Sequence, residues 1–195
     1  MNTKTILILT RYNTHTFIKL NESILNYCNK YKNEKDKNIS LFGYMVLSEY
    51  LHLYFNIDLF DKTINVDDNG KPYFEGFEYN ISNTGDFILV GISQTSSVGV
   101  DIESLEHVLN NQKAVKAYLN IDEQFDYYNS KDPDFFLLTT WCKKEAFAKF
   151  TGKGLSICPI PQVINKKFHI NYIDSNLCLV CFTNDEEVEL VKETK

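Results

Sequence analysis

The segment Ile39 to Phe55, ISLFGYMVLSEYLHLYF, is apolar on nearly every side. A helix of that kind cannot lie on a surface and must be covered all round, which demands partners from the rest of the chain. Candidate strands supply them: Thr5 to Thr10 before the helix, then YNIS, DFILVGIS and SVGVDIE after it, with NTG turning the first pair. Further on, Leu105 to Leu119, Asp122 to Asn129 and Asp134 to Phe150 read as helices, the last started by Pro133. The alternating FHINYI and LCLVCF read as strands before a short polar end. A helix from about Thr16 to Cys28 and a solvated loop or frayed helix end at NKYKNEKDKN complete the amino-terminal part. No Pro- or Ser-rich linker separates the halves, and the best seam falls at Ser96 and Ser97. The pattern predicts an α+β protein in two packed halves, residues 1–97 and 98–195.

Composition narrows the classes. With 195 residues, 44% hydrophobic and 14% aromatic, the chain can bury a sizeable core. A formal charge of -6 argues against nucleic acid as a partner, because phosphate backbones demand a basic surface. No apolar run approaches the ~20 residues of a membrane span, and TILILT is too short for a signal peptide, so a cytoplasmic protein without a membrane partner is expected. Five cysteines fit a reduced compartment. Cys178 and Cys181 form a CxxC on a strand, where positions three apart face opposite ways, so a shared metal is not expected. Cys28, Cys142 and Cys158 read as small core residues, His52 as a core or interface residue, and His15, His107 and His169 as surface residues.

Chemistry concentrates in two stretches. In WCKKEAFAKFTGKGL, Leu138, Trp141, Cys142, Glu145, Ala148 and Lys149 share a helical stripe, with Lys143, Phe147 and Phe150 opposite. Glu145 sits in the middle of that stripe, and an inward carboxylate needs a cation, a metal or a set of donors. Lys149, one turn on, could be that cation. In VGVDIE, Asp101 and Glu103 project side by side from one strand face next to Gly99, either as a solvated face or as oxygen ligands for a hard cation. Glu145 could complete such a ligand set for Mg²⁺, with Lys149 and Lys153 serving phosphate oxygens as point charges. TGKGL is not a phosphate loop: position 147 is Phe and Gly154 follows Lys153, so the glycines are expected to cap and turn the helix.

Four blocks in this order, GKPYF, YNISNTGD, VGVDIE and WCKKEAFAKFTGKGL, resemble the signature of the 4'-phosphopantetheinyl transferases of the monomeric surfactin-synthetase type. The resemblance covers residues 40 to 156. It implies a pseudo-dimer of two similar α/β halves with the active site at their seam. It also implies Mg²⁺-dependent transfer of the phosphopantetheine arm of coenzyme A to a serine of an acyl or peptidyl carrier protein, with release of adenosine 3',5'-bisphosphate. Asp101, Glu103 and Glu145 match the metal ligands, Lys149 the lysine that meets the pyrophosphate, and Lys71 and Ser82 positions lining the coenzyme A site. Glu103 or Glu145 is the expected acceptor of the serine proton, with Glu145 preferred, and Glu123 falls where the family often carries a glutamate. Asn83 stands in place of a histidine and Ser40 in place of an arginine, which removes positive charge from the nucleotide end. A relative that binds carrier protein or coenzyme A without turnover is the alternative. Lys113 and Lys116 could meet an acidic carrier protein or be ordinary solvated lysines.

Overall fold

The computed structural model describes residues 3–13, 19–155 and 167–193. Strand β1 (Lys4–Arg11) buries six consecutive residues. Helix α1 (Glu22–Cys28) is capped by the Asn21 side chain, which accepts from the Ile24 amide. The expected helix is therefore shorter than the sequence suggested, with Lys19 and Leu20 outside it and the segment before them beyond the described residues. Helix α2 (Glu34–Phe55) begins five residues before Ile39. Asn33 accepts from the Lys35 amide, and Glu34 and Asp36 lie in the first turn where the helix dipole favours acids. Its last turn emerges into solvent, so His52 is exposed rather than part of the core.

Strands β4 (Glu78–Thr84) and β5 (Phe87–Ser93) form a hairpin whose tight turn places Gly85 at φ 56°, and β2 (Asn65–Val66) with β3 (Pro72–Tyr73) makes a smaller one. The first sheet has the order β4-β5-β1-β9. Its last member, β9 (Glu187–Lys192), pairs parallel with β1 and forms from what the sequence presents as a polar tail. Glutamates alternating with valine and leucine suit an edge strand, and Glu189 forms an ion pair with Lys4 across it. The second sheet, β6-β8-β7, joins β6 (Val98–Ser104), β7 (His169–Ile173) and β8 (Leu177–Thr183). The expected helix over 105–119 breaks at Asn111 into α3 (Leu105–Asn110) and α4 (Gln112–Lys116). Helices α5 (Ile121–Asn129) and α6 (Pro133–Thr151) follow.

Each sheet is covered on one face by a helix and on the other by its fellow sheet. Ile6, Ile8, Ile88 and Val90 pack with α2. Leu7, Leu9 and Leu89 meet Val98, Val100 and Ile102 of the second sheet. Cys178 and Val180 pack with α6. Cys178 and Cys181 accordingly sit in different clusters on opposite faces of β8, both as free thiols. Both halves run strand, helix, antiparallel hairpin, and in both the second hairpin strand pairs with the opening strand, giving β4-β5-β1 and β7-β8-β6. The chain crosses from β8 to β9 at Asp185, a buried carboxylate. It accepts from Thr5 Oγ1 (2.7 Å), Ser93 Oγ (2.6 Å) and Thr95 Oγ1 (3.0 Å).

Candidate active site

Two sheet edges meet at the seam, β4 from one and β6 from the other, and side chains rather than a backbone ladder join them. Asn80, Ser82 and Thr84, every second residue of β4, point the same way. Asn80 Oδ1 accepts from the Val100 amide (2.9 Å), Ser82 Oγ donates to Asp101 Oδ1 (2.9 Å), and Thr84 Oγ1 donates to Glu103 Oε2 (3.1 Å). His107, one helical turn beyond, lies 2.8 Å from the same Glu103 oxygen. The alternation predicted for VGVDIE holds: Asp101 and Glu103 face α6, while Val98, Val100 and Ile102 face the other sheet.

Helix α6 crosses β6 at Gly99. A Cβ there would lie 2.1 Å from the Ala146 carbonyl oxygen and 2.4 Å from the Phe150 nitrogen, so only glycine permits the approach. This contact sets the rotation of the helix. Its sheet-facing side is centred on Cys142 and Ala146, with Phe147 and Phe150 packed edge-on against Phe182 on one flank. Glu145 and Lys149 occupy the other flank, half-buried, instead of the middle of the buried stripe. The far side of the helix is buried as well: Lys144 is 0% exposed and its Nζ lies 2.7 Å from Glu123 Oε2, from α5. Glu123 also closes a capping box with Asn120, so it anchors one helix and pairs with another.

Lys149 Nζ reaches across to the first sheet, donating to Ser82 Oγ (2.9 Å) and Asp101 Oδ1 (2.7 Å). Burial lowers its pKa, but Asp101, Glu145 and Glu103 outweigh that and hold the ammonium above its ordinary value. Burial raises the Glu103 carboxyl, with Asp101 adding to the shift against His107 and Thr84. Glu145 is pushed up to about 7, by burial first and by Asp101 and Glu103, with Lys149 pulling the other way. Asp101 thus acts on both glutamates, and its Oδ2 is buried without a hydrogen-bond partner among the described residues.

Glu145, Lys149 and Asn80 line a pocket of about 230 Å³ together with Lys71 and the glycines at 152 and 154. Gly152 caps α6 at φ 70°, and a Cβ on it would stand 3.4 Å from the Lys71 side chain, so the GKPYF turn rests on the end of the helix. Both glycines therefore do what the sequence predicts of them. Lys153 stands exposed between them. Ser40 and Asn83 line a second pocket, of about 410 Å³, with Tyr27, Tyr31, Tyr44 and Tyr79. Pro72 and Asn80 border both pockets and make them neighbours.

Among the described residues, no three His, Cys, Asp or Glu side chains gather closely enough to hold a metal ion. Asp101, Glu103 and Glu145 nevertheless fit a hard cation chemically. They are three oxygen donors, of which Asp101 raises the pKa of both glutamates, with one buried Asp101 oxygen left unpaired.

A family model for the 4'-phosphopantetheinyl transferase superfamily matches residues 97–189, the stretch that carries both carboxylate-bearing elements. Over this stretch the chain is similar to that superfamily. Among curated 4'-phosphopantetheinyl transferases it is similar to psf-1 of Bacillus pumilus, 27% identical over 126 residues that cover 62% of this chain and 53% of that protein. It is similar to gsp of Aneurinibacillus migulanus, 30% identical over 133 residues, 66% of this chain and 54% of that one. Sfp of Bacillus subtilis strain 168 is 24% identical over 136 residues, 67% of this chain and 59% of its own. The chain spans about half the length of the curated relatives it matches.

In the folded chain, residues of several separate segments are brought to one place. Asn80, Thr84 and His107 were not among the candidates from sequence, although the polar alternation in YNISNT was a usable signal for the first two. Lys144 carried no signal, because a lysine beside another lysine reads as solvated.

Proposed function

We propose that the protein transfers the 4'-phosphopantetheine arm of coenzyme A to a serine of an apo acyl or peptidyl carrier protein, releasing adenosine 3',5'-bisphosphate. The observation that carries this reading is the Lys149 ammonium, held at the seam between Ser82 and Asp101 and opening into a pocket with Lys71 and Glu145. Two lysines facing one small pocket suit the diphosphate of coenzyme A. The adjoining tyrosine-lined pocket suits its adenine, a fit that rests on aromatic stacking.

In the reaction the serine oxygen forms a bond to the pantetheine-side phosphorus as the bond to the bridging oxygen breaks, and adenosine bisphosphate leaves with that electron pair. Lys149 neutralises charge on the phosphoryl oxygens, and Lys71 orients the diphosphate. The serine proton passes to a carboxylate, and Glu145 is our assignment, with Glu103 held by Thr84 and His107 as the less available one. Mg²⁺, held by Asp101, Glu103 and Glu145, would supply Lewis-acid neutralisation of the diphosphate. Ser82 holds the Lys149 ammonium in place, and Asn83, Lys153 and Ser40 are assigned to the coenzyme A side. The two halves, 1–97 and 98–195, are proposed as pseudo-equivalent units on the strength of their shared connectivity, with β9 returned to the first sheet.

Incubating the protein with coenzyme A, Mg²⁺ and an apo carrier protein tests the reading. The carrier should gain the mass of phosphopantetheine. Unmodified carrier throughout a panel of fatty acid, polyketide and peptide carriers would refute it.

A further inference from the structure

Asp101 and Glu103 are gripped in the same way, each on one oxygen and from both halves of the molecule. Asp101 Oδ1 accepts from Ser82 of β4 and Lys149 of α6. Glu103 Oε2 meets Thr84 of β4 and His107 of α3. With Glu103 ionised its oxygens can only accept, so His107 Nδ1 is the donor of the 2.8 Å contact. Among the described residues no donor reaches the second oxygen of either carboxylate. One oxygen of each is therefore left for a hard cation or a proton.

Helix α3 fixes the place of the His107 ring. Ser104 caps it, its Oγ accepting from the His107 amide (3.2 Å), and Asn111 closes it, its side-chain amide donating to the His107 carbonyl (2.9 Å). Both backbone groups of His107 are thus engaged, and the next residue, Val108, is locked into the core. The Leu105 amide donates to the Asn176 carbonyl (2.8 Å), which ties the start of the helix to the turn between β7 and β8. The His107 side chain is 54% exposed and that of Glu103 only 12%. A contact so open to solvent adds little to the stability of the fold. Its effect is to hold a long, rotamer-rich side chain in one arrangement. We propose that His107 is a positioning residue, doing for Glu103 what Lys149 does for Asp101: it commits Oε2 so that Glu103 offers the site a single, fixed oxygen. The proposal rests on the transferase reading above, which makes Glu103 a ligand of Mg²⁺, but the dependence of Glu103 on His107 is measurable without turnover.

The test titrates Mn²⁺ alone, followed by electron paramagnetic resonance, into the intact protein and into His107→Ala and His107→Asn variants, each with and without Glu103→Gln. His107→Ala should weaken Mn²⁺ binding about tenfold, the low end of what losing a ligand's hydrogen-bond partner costs, while the melting temperature hardly moves. Asparagine carries an N–H where Nδ1 stood, so His107→Asn should return the affinity to within about threefold of the parent protein. In the Glu103→Gln background His107→Ala should have no further effect, because it acts through Glu103. Equal Mn²⁺ affinity in the parent protein and His107→Ala overturns the proposal, as does a parent protein that binds no Mn²⁺. So does a loss that asparagine fails to restore, or one that recurs in full beside Glu103→Gln, since either would mark a merely structural role. Carrier modification is scored separately. Mn²⁺ binding that depends on His107 in a protein that modifies no carrier keeps the positioning role and removes the transferase assignment.

Discussion

Lys149 makes the contacts that turn two sheet edges into a site, so it is the residue whose loss is most informative. Lys149→Met keeps the length of the side chain and removes the charge. It leaves Asp101 buried with Ser82 as its remaining donor. Transfer should fall by about 10²–10³ in kcat, the scale of losing one electrostatic stabiliser of the transition state, while circular dichroism stays native. Glu145→Gln removes the assigned proton acceptor and one oxygen charge at nearly constant volume. Near-normal transfer in single-turnover assays of that variant would show that Glu145 neither takes the proton nor holds the metal. Of these residues, Asp101, Glu103, Glu145 and Lys149 were legible from sequence because their charges break apolar patterns. Asn80 and Thr84 were signalled only by the polar alternation of YNISNT, and Lys144 by nothing, since no local pattern distinguishes a lysine that meets a buried partner from one that meets water.

At the scale of elements, the rotation of α6 depends on one glycine and one buried ion pair. Gly99→Ala places a methyl group 2.1 Å from the Ala146 carbonyl oxygen, which the backbone can relieve only by moving the helix away from β6. Overpacking of this kind costs about 1–3 kcal/mol, which for a chain of this size lowers Tm by roughly 2–4 °C per kcal/mol. Calorimetry gives the first, and transfer should fall with it because Lys149 retreats from Asp101. On the other side of the helix, Lys144→Met leaves Glu123 buried without its cation, a loss of about 3–5 kcal/mol in urea denaturation. The double variant Lys144→Met/Glu123→Leu should recover most of that loss, since an apolar pair carries no desolvation penalty. Existence and type of most elements followed from periodicity and capping. The α6 stripe was misplaced because the helix is covered by Phe182 on one flank and by α5 on its far side as well as by the sheet, so no single face stands out.

The whole molecule is fastened where the chain passes between its halves, at Asp185. Burial raises this carboxyl, but hydrogen bonds from Ser93, Ser96, Thr5 and Thr95 outweigh it and hold the group below its ordinary value. A carboxyl depressed in the folded state stabilises it above the unfolded pKa and ceases to do so as pH falls through the folded value. Asp185→Asn should therefore cost about 1.5–3 kcal/mol at pH 7 by chemical denaturation, with the difference from the parent protein closing below roughly pH 4. Local sequence was enough for the α+β class, the order of most strands and helices, the opposite-facing placement of Cys178 and Cys181 and the residue types that carry charge into the interior. Those follow from local periodicity, turn chemistry and the cost of burying a carboxylate, all properties of neighbouring residues. Only the tertiary structure decided that β9 returns to β1, that β4 and β6 face each other edge to edge, and that Ser82, Asp101 and Lys149 converge. Such contacts join positions far apart in the chain, and their energies depend on distances that no local pattern encodes.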